Sequence, residues 1–199
     1  MFIDPIPEDQ ATGAIAQIYE GDRENLGYVP QYTQAFSHHP DAYQAWRQLI
    51  STVRGQMDLR RAELATLAAA RALRSDYCSV AHAKILRDRF YDEETVLQIV
   101  SEPDRSGLDQ ADLAIMAFAE KAARSPISVT REDVDELRSW GLSDRDVTDV
   151  VLAVAARCFF ATVIETLGAA PDAELTGSLG PDLLDSVLIG RSRAGAAPA

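Results

Sequence analysis

Cysteine is nearly absent from this chain: Cys78 and Cys158 are the only two in 199 residues. Two cysteines cannot build the disulfide framework of a small secreted domain, so a reducing, cytoplasmic setting is the expectation. Histidine is as scarce, with three residues. His38 and His39 are adjacent, and neighbours in sequence share no helix face for chelation. Zinc-type cysteine spacing, a phosphate loop and a dinucleotide-binding glycine fingerprint are all missing. Basic residues are outnumbered: 19 Lys and Arg stand against 31 Asp and Glu, a formal charge of −12. So acidic a chain has few cations to displace counterions from phosphates, which argues against nucleic acid and against an anionic membrane surface. The acid excess is read as serving solubility. Residues Met1 to Glu8 show no basic region followed by an apolar run, and no secretory signal is read there. No apolar stretch is read as long enough to span a membrane.

What is present is helix signal. Hydrophobic residues make up 47% of the chain, enough for one core, and the period is helical throughout. Ile15, Ile18 and Tyr19 mark a first helix. Pro40 suits a first helical position, and Tyr43, Trp46, Leu49, Ile50 and Val53 follow as an apolar stripe. Asp58 caps a helix through Leu59, Glu63, Leu67 and Leu73. Another runs from about Asp76 to Phe90, and Asp92 caps a short one. Thr130 and Ser143 each precede an acid placed for a capping box. The helix after Ser143 is apolar over much of its circumference, which implies burial by neighbouring helices or by another subunit. Strand and hairpin signals are lacking. The expectation is an all-α protein: one domain over residues 1–189 and a disordered tail over 190–199, with a small docking helix at Leu183–Ile189.

The residues that carry chemistry lie around Cys78. His82 follows it by one helical turn, on the same face. Ser75 is placed as the N-cap, its hydroxyl accepting from the backbone N–H of Cys78. That sets Cys78 in a first turn, where unsatisfied N–H groups and the helix dipole favour a thiolate. On one unbroken helix, Glu63 and Cys78 would stand about 22 Å apart. A turn around Arg74–Asp76 makes a helical hairpin instead and brings Glu63 level with His82. Glu63 could then orient or charge His82, and His82 could take the proton of Cys78. Cys158 lies between Arg157 and Phe159 on a strongly apolar helix. It is read first as a small buried hydrophobe, and second as a thiol that could meet Cys78.

Glu63, Ser75, Cys78 and His82 also fall on a pattern. The run resembles the Glu-x11-Cys-x2-Cys-x3-His signature of the alkylhydroperoxidase D and carboxymuconolactone decarboxylase superfamily, with Ser75 in place of the first cysteine. The flanks Gly27–Tyr28–Val29–Pro30, Pro40–Asp41–Ala42 with Trp46, and Leu167–Gly168 with Pro171–Asp172 resemble its peroxidase-related branch. The resemblance covers roughly residues 5 to 175. It implies a compact multi-helix fold, a homo-oligomer, no metal or organic cofactor, and a hydroperoxide substrate. It implies that Cys78 attacks the peroxide and becomes a sulfenic acid. Ser75 cannot resolve that acid, so an external thiol or redox protein, or Cys158, would have to do so, or turnover has been lost. Two rival readings stand beside this one. One is a decarboxylase-type enzyme using His82 and Glu63 for proton transfer without the thiol. The other is an oligomeric protein with a degenerate site.

Overall fold

The computed structural model describes residues 1–194, and side chains as far as Ser192. Among these residues every regular element is helical. The helices are α1 (Gly13–Leu26), α2 (Gln31–Ala35), α3 (Pro40–Arg54), α4 (Leu59–Ala72), α5 (Asp76–Arg89) and α6 (Glu93–Ser101). They continue as α7 (Gln110–Arg124), α8 (Arg131–Ser139), α9 (Asp144–Thr166), α10 (Ala173–Thr176), α11 (Pro181–Val187) and α12 (Arg191–Ala194). Short polar side chains start them where the sequence places caps. Asp58 accepts from Arg61 N at 2.9 Å and Asp92 from Thr95 N at 2.8 Å. Asp146 reaches back to Ser143 N at 2.8 Å, closing a capping box at the start of α9.

Helix α4 is the centre of the fold, packed by α5, α7 and α9. Its buried face combines Leu64 and Leu67 with Ala65, Ala68 and Ala69, and the alanines let neighbouring axes approach. Two side-chain clusters lie on either side of α5. Leu64, Leu67, Val80, Leu86, Ile99, Ile115 and Val154 belong to an aliphatic one. Tyr19, Phe36, Tyr43, Tyr77, Cys78, Phe160 and Ile164 belong to an aromatic one. Helix α9 feeds both, with Val150 and Val154 near its start and Phe160 and Ile164 near its end.

By length and composition α9 is apolar enough to cross a membrane, contrary to the sequence expectation that no segment is. Half of that window is buried inside the fold, where α3, α4 and α7 pack on it. The core helix of a soluble protein passes the same test for this reason.

The hairpin between α4 and α5 closes at Arg74, whose φ of +55° puts it in the left-handed region that ends many helices. Ser75 N then bonds back to Ala70 O at 3.0 Å. Residues 190–192 pack against this turn, where the expectation was a disordered tail over residues 190–199. Asp76 accepts from Gly190 N at 2.6 Å and from Ser192 N at 2.8 Å, and Arg191–Ala194 form a helical turn. A Cβ at Gly190 would lie 2.1 Å from Arg74 O, so only glycine fits. Residues 195–199 lie outside the described residues.

Candidate active site

The hairpin brings α4 and α5 side by side, so Glu63 meets His82 across it. His82 Nδ1 and Glu63 Oε2 lie 2.5 Å apart, and both side chains are buried. Arg54, the last residue of α3, pairs with the other carboxylate oxygen. Burial alone would raise the pKa of Glu63. The pull of His82, Arg54 and Arg157 outweighs it and holds the carboxyl below the usual glutamate range. Burial and then the charge of Arg157 push His82 below the usual imidazole range, against the raising effect of Glu63. We therefore assign a neutral ring whose Nδ1–H donates to Glu63, which leaves the Nε2 lone pair free.

Cys78 and His82 sit one turn apart on α5 and border the same cavity, of about 350 Å3. Its walls are aromatic: Tyr32, Tyr43, Trp46, Tyr77 and Phe160. Trp46 stacks on Phe160 at 4.2 Å between ring centroids, and Tyr32 meets Tyr77 edge-on at 5.5 Å. A cavity of this size takes a small organic molecule rather than a large one. Tyr77 is fixed from behind, since its hydroxyl donates to Asp172. Asp172 also accepts from Gln31 N at 3.1 Å, so the residues after α9 brace α2 and the cavity wall.

Ser75 is the N-cap of α5. Its Oγ accepts from Cys78 N at 3.3 Å and donates to Glu165 Oε1 at 2.7 Å. The residue is fully buried, its proton is engaged, and it is not among the residues bordering the cavity. The geometry therefore gives Ser75 the framing role, positioning the first turn that carries Cys78.

Cys158 lies apart from this arrangement. It packs on the aliphatic cluster, whereas Cys78 belongs to the aromatic one. Adjacent residues on a helix point about 100° apart, and the neighbour that reaches Cys78 is Arg157. Burial pushes the Cys158 thiol up, away from the reactive form. His38 Nε2 lies 2.9 Å from Asp4 O, and His39 is the N-cap residue of α3. No cluster of metal-ligating side chains occurs among the described residues.

Sequence reasoning missed Arg157 and Arg54. Arg157 is buried to 5% exposure, and its Nη1 lies 3.3 Å from Cys78 Sγ. The signal for it was a lone charge on the apolar run from Val150 to Ile164, since a charge in such a place needs a partner. Arg54 carried no comparable signal, because a basic residue ending a helix is common.

Residues 40–121 match the model of the carboxymuconolactone decarboxylase family, a segment that includes Arg54, Glu63, Cys78 and His82. Similar solved structures include the alkylhydroperoxidase AhpD core of a peroxidase-related protein from Ralstonia eutropha JMP134. It is 22% identical with a TM-score of 0.73, over 87% of this chain and 96% of that one. A peroxidase-related protein from Silicibacter sp. TM1040 is also 22% identical at TM-score 0.73, over 88% and 91%. The debrominase Bmp8, solved with 2,3,4-tribromopyrrole, is 17% identical at TM-score 0.75, over 94% and 97%. No curated protein matches the chain. At these identities the structures speak for the fold, and the family match adds the segment that bears the motif. Together they give the chain the fold of these alkylhydroperoxidase AhpD-like structures and, over residues 40–121, a similarity to the carboxymuconolactone decarboxylase family.

Proposed function

We propose that the protein reduces organic hydroperoxides through the single thiol of Cys78. The observation that carries this reading is the His82–Glu63 pair bordering the same cavity as Cys78. His82 Nε2 takes the thiol proton while Glu63 holds the ring. The thiolate attacks the terminal oxygen of ROOH: the S–O bond forms and the O–O bond breaks. The sulfur is oxidised by two electrons and the peroxide is reduced. The departing RO⁻ takes the proton back from His82, leaving Cys78 as a sulfenic acid and releasing ROH. An external thiol then forms a mixed disulfide with loss of water, and a second thiol frees Cys78.

The test exposes reduced protein to one equivalent of cumene hydroperoxide with a sulfenic-acid trap, and reads the labelled residue by mass spectrometry. Label at Cys78, slowed in Glu63→Gln, is the expected result. Absence of label, or equal label at Cys158, would sink the reading. Proton-transfer chemistry of the decarboxylase kind is the second reading, favoured by the family that matches the segment. It needs the His82–Glu63 pair and not the thiol, so Cys78→Ala retaining full turnover of an organic acid would establish it. Brominated pyrroles belong in the same substrate panel, because a protein of this fold is a debrominase.

Two further parts of the reading concern setting. The reducing partner is proposed to be a small thiol or redox protein of the cytoplasm. A second copy of the chain is proposed to cover the apolar strip of Leu49 on α3 with Leu152 and Phe159 on α9, each more than two-fifths exposed.

A further inference from the structure

We propose that Arg157 is the counter-ion of the Cys78 sulfur, holding the reacting group as an anion while it attacks. The inference rests on the reading of Cys78 as the nucleophile and assigns the chain a further catalytic residue. Three observations carry it. The guanidinium is buried, and among the described residues its one hydrogen bond runs from Nη1 to Cys78 Sγ at 3.3 Å and its buried Nε has no partner. No carboxylate stands within ion-pair distance of it among the described residues. Glu63 feels its charge but is already bonded by Arg54 and His82.

Aromatic packing explains where Arg157 sits but not how its charge is balanced. The guanidinium lies 5.2 Å from the Phe160 ring centroid and 5.9 Å from that of Trp46. Trp46 is itself fixed, because its Nε1–H donates to Ala156 O at 2.9 Å. Rings of this kind orient a cation and offset part of its desolvation, yet a buried charge still calls for an opposite one. Around the cavity, Arg47, Arg54 and Arg157 are cationic, Asp22 and Glu63 are anionic and His82 is neutral. One positive charge is left over, and the atom in contact with it is the sulfur. When His82 Nε2 takes the thiol proton, the thiolate forms against this guanidinium, which offsets its charge. As the O–O bond breaks, negative charge passes from sulfur to the departing oxygen beside the same guanidinium, and the protonated His82 returns to that oxygen the proton it took from the thiol.

The experiment uses the full chain with Cys158→Ser, so that thiol chemistry is confined to Cys78. Iodoacetamide alkylation is timed at neutral pH for the parent, Arg157→Ala, Arg157→Met and Arg157→Lys, with far-UV circular dichroism and a urea midpoint for each. Removing the cation is expected to slow alkylation about tenfold or more, with Arg157→Lys retaining more of the rate than Arg157→Met. Millimolar guanidinium chloride should restore Arg157→Ala, and equal urea or sodium chloride should not. Unchanged alkylation in a folded Arg157→Ala or Arg157→Met, or equal rescue by urea, would overturn the proposal. Alkylation involves no hydroperoxide, so the two readings separate. An Arg157-dependent thiolate that ignores hydroperoxide ends the peroxidase reading alone. Hydroperoxide reduction indifferent to Arg157 ends this one alone.

Discussion

Ser75 and Glu165 stand 90 residues apart in sequence and share a hydrogen bond of 2.7 Å. The serine hydroxyl also caps α5, so one small side chain ties the end of α9 to the first turn under Cys78. Ser75→Ala removes the cap and leaves Glu165 short of a donor. A loss of ~1–3 kcal/mol is expected, read from the urea unfolding midpoint. Ser75→Cys should cost about 1 kcal/mol for the weaker cap. It should also change the oxidation product: a disulfide between positions 75 and 78 in place of a trappable sulfenic acid. Mass spectrometry distinguishes the two products.

Glu63 fixes the ring of His82 and neutralises Arg54. Glu63→Gln keeps the shape and discards the charge. Sulfenic-acid formation at Cys78 is expected to fall ~10–100-fold, as when an orienting carboxylate is lost beside a working histidine. Single-turnover trapping measures it. A rate within twofold of the parent would show that His82 needs no carboxylate.

His82 lies below its ordinary value of 6.5 because burial and Arg157 disfavour its charged form. The unfolded chain then binds a proton that the folded chain refuses. Stability should therefore fall as pH drops through about 6.5 toward the lower folded value. Glu63, also depressed, adds its own loss only below its ordinary 4.5. Urea midpoints between about pH 5.5 and 8 isolate the histidine, and the slope there should flatten in His82→Gln. An identical slope in the variant would assign the effect elsewhere.

Asp112 is buried on α7 and holds Arg60 and Arg61 of α4, the latter through Arg61 Nε at 2.8 Å. The pairs tie α7 to the central helix. Asp112→Ala leaves two arginines that are partly exposed and can turn to water, so a cost of ~2–4 kcal/mol is expected rather than the largest values for buried pairs. Chemical denaturation checks it, and Cys78 alkylation should be unaffected in the fraction that stays folded.

The strip of Leu49, Leu152 and Phe159 is the surface proposed to meet a second copy. Leu152→Glu should leave the fold intact and shift the molecular mass in sedimentation equilibrium toward the monomer. An unchanged mass would place any assembly on another face.

Much of this was legible in one dimension because it depends on neighbours in the chain. Asp58, Asp92 and Ser143 announce their helices through bonds to N–H groups three residues on. Ser75, Cys78 and His82 are set by helical spacing alone, and one turn at Arg74 brings Glu63 within reach of His82. Other relationships are not local, and no spacing encodes them. Arg157 reaches Cys78 from 79 residues away, Tyr77 finds Asp172 at 95, and Asp76 captures Gly190 at 114. The all-round apolarity of α9 implied cover by neighbours, but not which ones. The apolar length of α9 became a core helix because α3, α4 and α7 cover it. The sequence by itself determined the helices, their caps and the residues of the thiol motif, since those follow from backbone hydrogen bonding and the period of one helix. Only the tertiary structure decided which charges surround the sulfur and which rings enclose it, because packing places them in one cavity from helices far apart in the chain.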